Sequence, residues 1–548
     1  MSKQPLLDVR FYPRMSLYLD KDEKGSFIVD ATISYSAGQP YSNSTFEQGR
    51  NGSVPFTTMN ITIMHSGTGK TLVPWSEVSI NSTGTEFSFD LSSFTNNGTT
   101  FPDHPVPVNL IGVSPDAIQS YYSVSTITIL PSRKDVGSVA RIDRLYGGLQ
   151  VHSSLTNQQW KPIFPYSFYT NWDWIASTIN NSSATYNLSS FRSSGYNLIH
   201  PVPPGGSDPF NRTIFEEFLK ICDSLELYVM YDMRHTYKNN TSITNQLSLL
   251  QNHPSLLLYY TADEPDGWCD PLSATKTSYD HIRSLDPYHP VSLCLNCANF
   301  YFDEYSRGAD ILLEDTYPIA VNTSFSTVYH TPCNTTYGDC GCDNCHAGDP
   351  AYPSYVKNRF LDISTRVDDL QTYQEWLRFD AKKPIWGVPQ SFFDRGSFWQ
   401  RFPTAEEEAV MGVLRLNHGV KGIVAWIFPT EESLKEITSS LATVLASDEV
   451  VRFTLGAPRM GLQVRGGNGL VDATGWIADG CVLVSIVYLG YEDLDGEVEV
   501  SLPQDRKPAA VEKAFLGTGG WTSGEKGLKK DGLKSLEISI LKIALQES

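Results

Sequence analysis

Two runs in this chain end in paired carboxylates. "LLLYYTADEPDGW" (residues 256–268) sets Asp263 and Glu264 directly after an apolar stretch. Pro265 follows and ends any strand there, because it has no backbone N–H to give to a ladder. "ADILLEDTYPI" (309–319) ends in Glu314 and Asp315, with Tyr317 two residues on. A further carboxylate, Asp232, closes "ELYVMYD" (226–232). Carboxylates gathered at one mouth raise one another's pKa, which is how a carboxyl stays protonated near neutral pH. Cleavage of a glycosidic bond uses such a set. One carboxyl protonates the leaving oxygen, and a second acts as nucleophile or activates water. Aromatic rings supply platforms for sugar faces, and 12% of this chain is aromatic, with 11 Trp and 28 Tyr.

Something must bring these residues together. From about 145 to 445, short apolar strands alternate with helical stretches. The strands read as 162–169, 196–202, 226–232, 255–262, 290–295, 310–318, 384–390 and 422–428. Helices such as "TIFEEFLKICDSL" and "AEEEAVMGVLRLNHG" carry apolar residues at three- and four-residue spacing. Eight such units predict a (β/α)8 TIM barrel. No Gly-rich phosphate fingerprint follows the first strand, which disfavours an open dinucleotide-binding sheet. Residues 1–140 alternate as short strands between Gly, Ser, Asn and Pro turns, and predict a β-sandwich. Residues 449–548 do the same, leaving 141–448 for the barrel.

Barrel enzymes place their chemistry at the C-terminal ends of the strands. Those ends give Tyr169, Asn171 and Trp172; His200; Asp232 and Arg234; Asp263 and Glu264; Glu314, Asp315 and Tyr317; Gln390; and Trp426.

The net charge of −19 argues against nucleic acid and anionic membranes as partners. Thirteen Asn-x-Ser/Thr sequons begin at Asn43, Asn51, Asn60, Asn81, Asn97, Asn180, Asn181, Asn187, Asn211, Asn239, Asn240, Asn322 and Asn334. Their density predicts a secreted glycoprotein carrying N-glycans, with a signal peptide removed ahead of Met1. In that setting Cys294, Cys297, Cys333, Cys340, Cys342 and Cys345 read as disulfides pinning a long loop, rather than as a zinc site with His346. The odd count of nine Cys leaves at least one thiol free, Cys222 or Cys481.

Five segments, in order, resemble clan A of the glycoside hydrolases: "WKPIFPYSFYTNW", "SGYNLIHPV", "HPSLLLYYTADEPDG", "RSLDPYHPV" and "ADILLEDTYPI". The layout resembles the β-galactosidase and β-glucuronidase group within that clan. The resemblance implies that Glu264 is the general acid/base, that Asp263 replaces the Asn binding the sugar 2-hydroxyl, that Tyr317 touches the nucleophile, and that Trp426 lies under the sugar. It departs at the seventh strand. There the family has a nucleophilic Glu, and "KKPIWGVPQSFF" offers Gln390, whose amide cannot form a glycosyl ester.

The reading is therefore a secreted glycoside hydrolase with Glu264 as acid and no cofactor or metal. Asp315 shares side-chain parity with Tyr317. It serves as base on a water, which needs carboxyls roughly 6.5–9.5 Å apart for inversion, or as nucleophile. Tyr169, Trp172, His200, Asp232, Asp263, Glu314, Tyr317, Gln390 and Trp426 are expected to bind the sugar. Two alternatives stand beside it. One is substrate-assisted hydrolysis of N-acetylhexosaminides through Asp263 and Glu264. The other is a non-catalytic carbohydrate-binding or cell-wall protein on a decayed barrel.

Overall fold

The computed structural model describes residues 1–46, 53–94, 105–181, 186–205, 209–296, 300–320, 325–326, 331–332, 358–379, 381–394, 399–503 and 506–546. The chain divides into two compact units.

The first comprises residues 1–135, 141–147 and 378–382. Two four-stranded sheets form it. Leu6–Pro13 and Lys24–Ser34 lie between Gln39–Pro40 and Ser82–Asp90 in one. Val106–Val113 and Thr58–His65 lie between Ser120–Ile127 and Thr71–Ser79 in the other. Alternation sets the faces. Val106, Val108 and Leu110 are buried, whereas Pro107 between them is exposed. They meet Phe27, Val29, Ile61 and Ile63 in one core, the expected sandwich.

The second unit holds a closed barrel of eight parallel strands. They are β1 (Tyr166–Asn171), β2 (Leu198–Val202), β3 (Tyr228–Asp232), β4 (Leu256–Asp263), β5 (Val291–Leu295), β6 (Ile311–Glu314), β7 (Ile385–Gly387) and β8 (Ile423–Phe428). Helices cover the outer face, so both faces of each strand are buried. This is why the strands read as unbroken apolar runs and not as alternating ones. Among the described residues the helices are α1 (Trp172–Asn180), α2 (Leu188–Ser193), α3 (Arg212–Leu225), α4 (Asn240–Leu250), α5 (Ala274–Leu285), α6 (Phe302–Ser306), α7 (Leu361–Leu377), α8 (Ala405–Asn417), α9 (Glu432–Leu445) and α10 (Asp448–Thr454). Asn side chains cap α1 to α4, namely Asn171, Asn187, Asn211 and Asn239. A Thr404–Glu407 capping box starts α8.

β6 and β7 are shorter than the sequence predicts. Past Glu314 the backbone N–H of Thr316 donates to the Glu314 side chain, at 3.1 Å, instead of to a neighbouring strand.

Two sheets close the chain. One joins Arg459–Gly461, Val471–Ala478, Cys481–Tyr488, Ile538–Leu545 and Pro508–Leu516. The other joins Gln463–Arg465, Leu494–Ser501, Gly527–Leu533 and Thr522–Ser523. Val482, Val484, Val498, Val500, Leu541 and Ile543 fill the space between them. His418, just past α8, ties this sandwich to the barrel. Its Nδ1 lies 2.9 Å from Asp368 on α7, and its Nε2 lies 3.3 Å from Asp472.

Cys222, Cys269, Cys294 and Cys481 are free thiols. The expected grouping of Cys294 with the disulfide cysteines is thereby corrected, since its side chain lies inside the barrel wall on β5. Cys297, Cys333, Cys340, Cys342, Cys345 and His346 lie outside the described residues. Among the described residues no helix is long and apolar enough to cross a membrane.

Candidate active site

Two adjacent residues of a regular strand point to opposite faces, so Asp263 and Glu264 cannot both face the mouth unless the backbone turns. It turns twice. Tyr260 pairs with Ser292 but Asp263 pairs with Cys294, so β4 bulges by one residue against β5. Glu264 then adopts φ +50°, a left-handed conformation that strains any residue but glycine. Its N–H donates to the carbonyl of Cys294 at 3.1 Å.

The turn carries the Glu264 side chain across β5 toward β6. There it hydrogen-bonds with the side chains of Asp315 and Asn296. Burial pushes the Glu264 carboxyl above its usual range, and the charges of Asp263 and Asp266 add to the rise. The hydrogen bonds with Asp315 and Asn296 pull the other way without cancelling it. Two carboxyls in hydrogen-bond contact cannot both ionise cheaply, so the pair holds one proton and titrates as a unit. The hydrogen-bonded carboxyls lie closer than the roughly 6.5–9.5 Å that an inverting pair needs to hold a water.

Alternation places the β6 carboxylates apart. Asp315 turns inward, and Glu314 turns outward into the barrel wall. Glu314 is buried against the Arg415 guanidinium of α8, which also donates to the carbonyl of Thr316 at 2.9 Å. Gly387 makes room for this: a Cβ there would lie 2.3 Å from Arg415 Cδ. Glu314 thus braces β6 against α8 and does not line the mouth, contrary to expectation.

A second network fills the floor. The Arg234 guanidinium bridges Asp232 and Asp263, each at 2.7 Å. Burial alone would raise the Asp232 carboxyl, but Arg234 and His200 hold it below its usual range. His200 Nε2 lies 2.8 Å from Asp232. Its imidazole is lowered by burial, with Asp232 opposing. Asp263 also accepts from the Tyr260 hydroxyl and remains 25% exposed. Tyr169 packs on His200 with ring centres 4.1 Å apart and donates to Tyr260 at 3.1 Å. Trp426 closes the group, half-buried, with Arg234 5.3 Å from its ring centre. Tyr317, beside Asp315, packs edge-on against Phe392 and Trp399.

Three expected contacts sit elsewhere: Glu314, Trp172 and Gln390. Trp172 is buried among Phe210, Phe215 and Phe218 on the outer side, so it is core and not a platform. Gln390 is fully buried with its amide spent on backbone. It accepts from Ile319 N at 3.1 Å and donates to the Ile319 and Phe392 carbonyls at 3.2 and 3.4 Å. It pins the loop after β6.

No protein-family model matches the chain, and no curated protein does. Among solved structures, the chain is similar to an FMN-binding β-glucuronidase from Facaelibacterium prausnitzii, at 9% identity and TM-score 0.33, over 100% of this chain and 71% of that one. It is also similar to a GH2 β-galacturonidase from Eisenbergiella tayi bound to galacturonate, at 15% identity and TM-score 0.32, over 78% of this chain and 66% of that one. An α-amylase from Geobacillus thermoleovorans complexed with acarbose shows 9% identity and TM-score 0.42, over 68% of this chain and 92% of that one.

Two candidate site residues, Asn296 and Tyr260, are absent from the strand ends that the sequence offers. Asn296 follows the last residue of β5. Tyr260 lies three residues before Asp263, and the bulge brings its hydroxyl back. Arg234, at the end of β3, pairs with Asp232 and Asp263.

Proposed function

We propose that the chain hydrolyses glycosidic bonds, with Glu264 as general acid and Asp315 as nucleophile. The hydrogen-bonded Glu264–Asp315 pair carries this reading. The contact holds a proton between two carboxyls at the barrel mouth, and the reaction requires that proton on Glu264 and the charge on Asp315. Close contact favours the double-displacement arrangement over one with a water between the groups. As a glycoside enters between them, Glu264 gives its proton to the leaving oxygen and Asp315 attacks the anomeric carbon. Glu264 then activates the water that releases the sugar. Asp263, Tyr317 and Trp426 hold the sugar, with Tyr169, His200, Asp232 and Arg234 beneath them. No cofactor enters these steps.

One observation favours a second reading. Asp315 is engaged by Glu264, while the partly exposed Asp263 carboxylate is fixed by Arg234 and Tyr260. Asp263 would then steady a 2-acetamido group that itself attacks the anomeric carbon. Substituting Glu264→Gln and assaying a panel of glycosides tests the common core. Turnover must fall sharply; unchanged turnover removes Glu264 from the catalytic role, and binding with no turnover by the parent leaves only a carbohydrate-binding protein.

We also propose secretion and N-glycosylation. Asn43, Asn60, Asn81, Asn180, Asn181, Asn211, Asn239 and Asn240 are exposed sequon residues. Loss of mass on treatment with an N-glycosidase after expression in a eukaryotic host checks it; an unchanged mass refutes it.

A further inference from the structure

We propose that Trp268 is the floor of a leaving-group subsite, stacking on the sugar beyond the scissile bond; this rests on the reading of Glu264 as the proton donor. A general acid touches the bridging oxygen, so the departing group lies beside it. The loop that leaves Glu264 leads to Trp268, whose N–H donates to the Glu264 carbonyl at 3.0 Å.

That loop is rigid beneath an exposed ring. Asp266 is buried, and its Oδ1 accepts from Gly267 N and Asn296 N, each at 3.1 Å. Gly267 packs on Asn296, where a Cβ would be 3.4 Å from that of Asn296. Asp270 N donates to the Pro265 carbonyl at 2.8 Å, and Asp270 is held by Tyr237 and Lys238. Yet Trp268 is 74% exposed, whereas Trp172 and Trp386 are buried. Beyond β5, Phe300 and Tyr301 are 40% and 47% exposed, with ring centres 4.6 Å apart. A built turn that holds a large apolar ring in water four residues on from a proton donor suits a flat partner, and sugar faces are such partners. The occupant is therefore a pyranose of an oligosaccharide.

The test uses Trp268→Ala and Trp268→Phe in the full chain. The probes are the β-glucosyl, β-galactosyl and β-N-acetylglucosaminyl fluorides, and the matching β-1,4-linked tetrasaccharides. Fluoride has nothing to stack, so kcat/KM on the hydrolysed fluoride should stay within about twofold. On the tetrasaccharide Trp268→Ala should lose about tenfold or more, with Trp268→Phe restoring most of it. Equal loss on both probes, or loss on neither, overturns the subsite. Should the parent hydrolyse no probe, the hydrolase reading fails and calorimetric titration with the tetrasaccharides decides. Binding weakened about tenfold by Trp268→Ala supports the subsite, and unchanged binding, or none by the parent, overturns it.

Discussion

Glu264 and Asp315 share a hydrogen bond at the barrel mouth although β5 lies between the strands that carry them. The left-handed turn at Glu264 makes this reach possible, and Asn296 of the intervening loop bonds to the same carboxyl. If Asp315 is the nucleophile, a 2-deoxy-2-fluoro glycoside with a good leaving group should leave its sugar esterified to Asp315, read by peptide mass spectrometry. An unlabelled Asp315, with turnover confined to 2-acetamido substrates, would favour participation by the substrate instead.

Arg234 neutralises two carboxylates at once. Arg234→Met should destabilise the fold by about 3–5 kcal/mol, because it strands Asp232 in the interior and Asp263 at the mouth. Urea unfolding measures this. A loss below about 1 kcal/mol would mean that the two carboxylates find other partners.

Gln390→Glu writes the clan's seventh-strand carboxylate back into the chain. It should not raise turnover, because the side chain is turned into the backbone of the loop at Ile319. It should instead cost about 1–3 kcal/mol, by setting oxygens against the carbonyls of Ile319 and Phe392. A gain in turnover would show that residue 390 reaches the sugar.

His418 makes the join between barrel and C-terminal sandwich pH-dependent. Burial alone would lower its pKa, but Asp368 and Asp472 push it up to about 9, from an ordinary 6.5. A raised pKa stabilises fully below about 6.5 and is lost as pH climbs through about 9. The melting temperature should therefore fall over that window, and His418→Gln should flatten the fall. An equally steep fall in the variant would contradict this.

Glu408 acts in an overlapping window for a different reason. Burial pushes it up to about 8, from 4.5, so keeping it folded costs more as pH rises from about 4.5 to 8. Glu408→Gln removes the charge and should stabilise the protein more at pH 9 than at pH 5, by thermal melting. Equal shifts at both pH values would refute the assignment.

The barrel was legible because its strands are buried on both faces: "SLLLYYTA" and "GIVAWIF" have little alternative use. The rule that chemistry sits at strand ends made Glu264, Asp315 and Asp263 the candidates. It could not tell which way a residue past the last ladder bond points. Glu314 and Asp315 were separated only by the alternation of β6 and by a buried Arg415 a hundred residues away. Trp172 looked like a sugar platform because sequence does not show the three phenylalanines packed around it. The bulge and the positive φ that turn Glu264 toward Asp315 leave no mark in composition or periodicity.

The central claim is that Glu264 protonates a leaving group. The most direct measurement compares Glu264→Gln with the parent on two glycosides of the same sugar, one with a poor leaving group and one with 2,4-dinitrophenolate. A lost general acid should slow bond cleavage of the first by about 10²–10⁴-fold and leave that of the second, followed as the pre-steady-state release of phenolate, nearly unchanged. Equal losses on both, or no loss on either, would contradict the account.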